Sequence, residues 1–294
     1  MTDQTEFRAH HYRSADDRLD LFARDYSPPG PGRNRLPLLM MHGLTRNSAD
    51  FEPLAGHLAG SRRMVVPDQR GRGLSAHDPE AANYRPEVYV QDMWTLLDDL
   101  GLERVILIGT SMGGLMAMIM GATRPRRVAG IILNDIGPMV SKEGLDRIQG
   151  YVGGSQPMAN WQEAAARCQS INGDALQGFR QEDWLAFARR TCVELADGRV
   201  AFAYDPGIAT AMSGDDPAAV PADMWPLWDM LAAIPVLVIR GAHSDILSPG
   251  TVKEMAQRHW QDFTAIDIPG RGHAPILDEP AALSAIDGFL SAHG

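Results

Sequence analysis

The 294-residue chain predicts an α/β fold, a mostly parallel twisted sheet with helices packed on both faces. Three observations carry that expectation. Short apolar runs recur without polar alternation, which suits strands covered on both sides. Helical patterns fall between those runs, and the order β, α, β, α implies right-handed crossovers. After Ile136 the rhythm stops, and it resumes at Pro235.

Taken in order, residues 7–12 and 19–24 read as an antiparallel hairpin at the sheet edge. Pro28-Pro29-Gly30-Pro31-Gly32 is an early surface turn. Apolar runs at 38–41, 64–66, 105–108 and 131–133 are the next strands, with helices expected at 49–58, 87–100 and 112–123 between them. The stretch that follows holds helical patterns at 144–151, 161–171 and 182–192, broken by Gly- and Pro-containing turns. Strands return at 236–239 and 264–268, and a C-terminal helix follows. Residues 1–136 and 230–294 are therefore expected to form the core, and 137–229 an inserted helical cap.

The composition, 45% hydrophobic and 22% charged, is that of a chain able to bury a full core. Its formal net charge of −10 repels polyanions, so neither nucleic acid nor an anionic membrane is expected as a main partner. Two cysteines, Cys168 and Cys192, rule out a disulfide scaffold and a zinc cluster, and reduced thiols are expected. The first residues lack the basic start and apolar run of a signal peptide, and no segment approaches the ~20 apolar residues of a membrane span. A soluble, cytoplasmic protein is the resulting expectation; oligomeric state is left open.

Gly109-Thr110-Ser111-Met112-Gly113 fits G-x-S-x-G, a sharp strand-to-helix turn that holds a serine in a strained backbone conformation. Side chains two residues to either side would crowd one another, hence the glycines. Roughly 0.1 such pentapeptides would arise by chance in so glycine-rich a chain, so the bare pattern is weak. Its setting makes it specific: an apolar strand runs into it, and an apolar helix leaves it.

A serine hydroxyl needs a base to take its proton as it attacks. His273, in a Gly- and Pro-flanked loop after the last strand, is placed to supply it. The imidazole in turn needs an acid to fix its tautomer. Asp245, in the loop after the strand at 236–239, is the preferred candidate. Asp135 competes, because it too follows a strand directly. Backbone N–H groups must face the developing oxyanion. Met112, at a helix N-terminus, and Leu44, after His42-Gly43, are the expected donors. His42 is read as a residue that fixes this loop, with Gly43 permitting the turn.

With these pieces placed, the chain resembles the α/β-hydrolase superfamily over nearly its whole length. His42-Gly43, the stretch from Asp68 to Ser75 (Asp-Gln-Arg-Gly-Arg-Gly-Leu-Ser), the serine turn, Ser244-Asp245 and Gly272-His273 fall in the family's usual order. The Ser-Met-Gly-Gly turn is similar to that of cap-bearing esterases, enol-lactonases and carbon–carbon bond hydrolases. The resemblance implies two-step acyl transfer on a small-molecule substrate, with no metal and no organic cofactor. Hydrolysis of carboxylic esters of small to medium apolar substrates is the leading expectation. Cleavage of vinylogous diketone acids or enol-lactones is the alternative, and a non-catalytic ligand receptor on the same fold is the reading outside enzymes. For the substrate pocket, Trp184 and Met139 are candidate apolar contacts. Arg189 and Arg190 are candidate partners for a substrate carboxylate.

Overall fold

A computed structural model describes residues 6–28, 34–153, 156–212 and 223–294. Ten strands and ten helices are named here in chain order. Strands β1 (Arg8–Arg13) and β2 (Asp20–Tyr26) form the expected hairpin. The turn expected at 28–32 falls, from residue 29 onward, outside the described residues.

The main sheet adds β3 (Leu38–Met41), β4 (Met64–Pro67), β5 (Val105–Thr110), β6 (Val128–Asn134), β9 (Val236–Gly241) and β10 (Phe263–Ile268). Its strand order is β1-β2-β4-β3-β5-β6-β9-β10. Only β2 runs against the others, pairing antiparallel with both β1 and β4. Neighbouring side chains on a strand face opposite ways. Leu39, Met41, Leu107 and Val238 accordingly enter one apolar cluster, with helices α2 (Pro86–Asp99) and α3 (Met112–Thr123). Leu38, Met40, Ile106 and Ile239 enter the other, with α1 (Glu52–His57) and α10 (Pro280–His293). Strands β3, β4, β5, β6 and β9 are buried at every residue, which is why their runs show no polar alternation.

Between β6 and β9 the chain leaves the sheet. It forms α4 (Lys142–Tyr151), α5 (Trp161–Asn172), α6 (Gln181–Thr191), the strands β7 (Cys192–Glu194) and β8 (Val200–Phe202), and then α7 (Gly207–Met212) and α8 (Trp225–Asp229). The helices expected at 144–151, 161–171 and 182–192 are α4, α5 and α6. The β7–β8 hairpin was not expected, because strands of three residues with Val193 exposed carry no apolar run. This segment has its own small core of Cys168, Leu176, Trp184, Phe187 and Val200. It docks on the loop at 68–75 through the Gly73 N–H donating to Ala203 O and the Asp205 N–H donating to Gly71 O, both at 2.8 Å. That loop is itself pinned: the buried Arg70 guanidinium is bidentate to Asp92, at 2.8 Å twice, and reaches Asp78 at 2.7 Å. The last helix of the core before β10 is α9 (Pro249–Arg258).

In such a sheet the loops at the carboxyl ends of the strands share one rim. Gly43 follows β3, Ser111 follows β5, Asp135 follows β6, and His273 lies beyond β10.

Candidate active site

Ser111 joins β5 directly to α3 with φ +52° and ψ −115°, a conformation that L-residues avoid. The glycines make this possible. A Cβ on Gly109 would collide with the carbonyl of Gly113, and one on Gly113 with the carbonyl of Met41. The Ser111 N–H donates to Asn134 O at 3.0 Å, and its carbonyl accepts from the amides of Gly114 and Leu115. The backbone is thus held on both sides, and the hydroxyl is free to turn toward the rim.

There it lies 2.8 Å from His273 Nε2, while His273 Nδ1 lies 2.7 Å from Asp135 Oδ2. A carboxylate only accepts, so Nδ1 carries the proton and Nε2 is left to accept from the Ser111 hydroxyl. Asp135 is fully buried and takes two further hydrogen bonds, from the Gly241 N–H at 2.7 Å and the Ser244 hydroxyl at 2.5 Å. Three hydrogen bonds, one to Oδ1 and two to Oδ2, keep this buried carboxylate oriented. Asn134, the residue before it, donates to Pro275 O at 2.8 Å and so ties the end of β6 to the His273 loop.

The expectation that Asp245 orients the histidine is corrected by this geometry. Asp245 turns outward to Arg147 on α4, at 2.5 and 3.0 Å, with both side chains about one-third exposed. Burial raises the Asp245 carboxyl, but Arg147 outweighs it and holds the group below its ordinary value. The competing candidate, Asp135, occupies the place.

Met112 is the first residue of α3, so its N–H has no intrahelical acceptor. The Leu44 N–H is aimed by its neighbour's carbonyl. Gly43 O accepts from His42 Nδ1 at 2.7 Å and from the Arg46 N–H at 3.2 Å. In a planar trans peptide the following N–H, that of Leu44, points the opposite way. His42 is fully buried, and its Nε2 accepts the Gln69 N–H at 3.1 Å. Burial pushes this imidazole down to about 3, against the opposing pull of Gly43 O, so it stays neutral and serves as a fixed strut. Gly43 does not have positive φ, and a Cβ there would meet only ordinary contacts, 3.8 Å from both Ser111 Cβ and Arg46 Cγ. Its expected role in permitting the turn is therefore replaced by a spatial one, leaving a gap between those two side chains. Arg72, also fully buried, donates to Leu44 O at 2.9 Å and lies 3.7 Å from Met112 Sδ.

Two chambers meet at Ser111. One is apolar and is walled by Tyr89, Met112, Leu115, Ile136 and Val140. The other, partly open to solvent, is lined by Arg46, Asp50, Tyr151, Asn172, Phe187 and His273. None of the four residues expected to line the pocket is among the walls of these two chambers. Trp184 packs on Phe179 and Phe187 inside the inserted segment, with ring centroids 5.0 and 5.7 Å apart. Arg189 stacks outward on Trp161 at 4.6 Å. Met139 is exposed, at 47%. Arg190 is largely buried behind Arg46, its carbonyl accepting from Asn47 Nδ2 at 2.9 Å. Arg46 was overlooked although it follows His42-Gly43 by only three residues, inside the loop that approaches the serine. Cys168 and Cys192 are free thiols, both buried. Among the described residues no three His, Cys, Asp or Glu side chains converge as a metal site, and no helix is long and apolar enough to cross a membrane.

The chain belongs to the α/β-hydrolase family, whose model, described as alpha/beta hydrolase fold, matches residues 37–280. It is a hydrolase by that membership. The 3-hydroxybutyrate-oligomer hydrolase of Cupriavidus necator is 35% identical over 271 residues, 90% of this chain and 92% of that one. The 2-(acetamidomethylene)succinate hydrolase of Mesorhizobium japonicum is 28% identical, over 87% of this chain and 88% of that one. Among solved structures, an alpha/beta hydrolase from Novosphingobium aromaticivorans superposes with a TM-score of 0.91 at 42% identity, covering 98% of this chain and 99% of that one.

Proposed function

We propose that the protein is a serine hydrolase of carboxylic esters, working through Ser111, His273 and Asp135 beneath a cap formed by residues 137–229. The observation that carries this reading is the unbroken hydrogen-bonded line from Ser111 Oγ through the imidazole to a buried carboxylate, at 2.8 and 2.7 Å. Ser111 attacks the ester carbonyl as His273 Nε2 takes its proton, and the imidazolium forms beside Asp135. The amides of Met112 and Leu44 receive the oxyanion. His273 then protonates the leaving alcohol, and a water deprotonated by the same nitrogen releases the acyl group. The relatedness to a hydrolase of 3-hydroxybutyrate oligomers, which are polyesters, favours ester over carbon–carbon cleavage.

The test is Ser111→Ala on a short-chain chromogenic ester. Activity should fall by about 10⁴-fold or more, since the nucleophile is lost while the fold and oxyanion donors remain. An unchanged rate would remove the reaction from this site.

A further inference from the structure

The reading of Ser111 as nucleophile and His273 as base divides the two chambers by role. A leaving alkoxide must collect its proton from His273 Nε2, so it departs on the side that His273 lines. That side is the polar chamber. The apolar chamber, walled by Met112 and Leu115 and not by His273, is left for the acyl chain.

Arg46 stands in the leaving-group chamber. Its guanidinium lies flat on Phe187, 3.9 Å from the ring centroid. Asp50 binds Nη2 alone, and Nε is buried with no protein acceptor. A buried donor left unpaired is unfavourable, and a ligand acceptor would relieve it. Arg190 nearby also has a buried, unpartnered Nε, and it lies in the field of Asp50, Glu52 and Asp278 as well as of Arg46. Asn172 and Tyr151 supply further polar atoms on the same wall.

We infer that Arg46 receives a carboxylate carried by the leaving alcohol, so that the preferred substrates are esters of hydroxycarboxylic acids with a short apolar acyl group. The guanidinium fork suits a planar carboxylate. The inference rests on the ester-hydrolase reading and names the substrate class for it. In the first step Ser111 Oγ bonds to the acyl carbon and its proton moves to His273 Nε2. The C–O bond to the alcohol breaks, and the same proton passes to that oxygen, releasing a hydroxy acid whose carboxylate had been held by Arg46. Water then adds to the acyl-enzyme, gives one proton through His273 to Ser111, and carries the acyl group off as a carboxylic acid.

The experiment compares kcat/KM for the butyryl ester of 3-hydroxybutyric acid with that for the same ester capped as its primary amide. The wild type should favour the free acid by about 10-fold or more, and Arg46→Gln should bring the ratio down to within about threefold of one. Arg46→Lys should fall between. Asp50→Asn, which removes the competing carboxylate, should raise the ratio, chiefly through a lower KM for the acid. A wild-type ratio of one or less, or a ratio that survives Arg46→Gln, overturns the inference. Should Arg46→Gln show no cooperative melting transition, the Asp50→Asn ratio decides, and its failure to rise counts against the inference. A wild type that cleaves neither compound overturns the ester reading itself, whereas equal cleavage of both overturns only the role of Arg46.

Discussion

Replacing Asp135 by Asn isolates the orienting carboxylate. Asp135 accepts three hydrogen bonds, from Gly241 N–H, Ser244 Oγ–H and His273 Nδ1–H. An asparagine keeps the bond to Gly241 if its oxygen occupies the Oδ1 position. Its NH₂ then faces His273 Nδ1, two donors meet, and the ring relieves the clash by moving its proton to Nε2. That nitrogen now points an N–H at Ser111 Oγ and cannot take a proton from it. Loss of the correct tautomer in a serine triad lowers kcat by about 10⁴, or about 5 kcal/mol of barrier.

Asp245→Asn removes instead an ion pair to Arg147 in which both side chains are 36% exposed. Pairs in that setting contribute about 0–1 kcal/mol, so kcat should change by less than about fivefold. The assay is steady-state hydrolysis of a chromogenic butyrate ester by both variants, with thermal melts to show that each is folded. Near-wild-type activity in Asp135→Asn, or a collapse in Asp245→Asn alone, would refute the assignment of the carboxylate.

Three further outcomes follow from the packing. His42 is held at about 3 against an ordinary 6.5, so between those values the unfolded chain binds a proton that the folded one refuses. Stability should therefore drop as pH falls through that window, by roughly 4–5 kcal/mol in total. Denaturant titrations of wild type and His42→Gln across that range should show the difference between them shrinking toward acid; parallel curves would contradict it. Gly113→Ala places a methyl against the Met41 carbonyl and should lower stability by about 3 kcal/mol or more, read as a fall in melting temperature. Arg70→Met strands the buried Asp92 and Asp78 and should destabilise by about 3–5 kcal/mol in urea unfolding.

The sheet and the serine turn were legible because their constraints are local. A strand buried on both faces must be apolar at every position, and the serine turn excludes side chains at Gly109 and Gly113 through contacts within a few residues. His273 was legible for a similar reason, as the histidine in a loop just past the last strand. The carboxylate was not. β6 and β9 are adjacent and parallel, with Asn134 opposite Ile239, and each is an apolar run followed by a loop bearing an aspartate. Nothing in the linear pattern says which loop turns inward. The pocket walls were illegible for a related reason. Whether Trp184 or Phe187 faces the chamber depends on how α6 is rotated against α5 and the sheet, and Met139, Arg189 and Arg190 were nominated by type, not by direction.

The displaced aspartate also explains how the inserted segment finds its seat. With the histidine satisfied from β6, the β9 loop is free to serve as a docking surface for α4. The helix comes so close there that a Cβ on Gly144 would meet the Asp245 backbone carbonyl and Ile246 Cδ1. Ser141 N–H donates to Ile246 O at 3.1 Å, and Arg147, about one turn on from Gly144, closes on the Asp245 carboxylate. The same helix contributes Ile148 to both chambers and Tyr151 to the polar one. These contacts thus couple the position of the inserted segment to the walls around the serine.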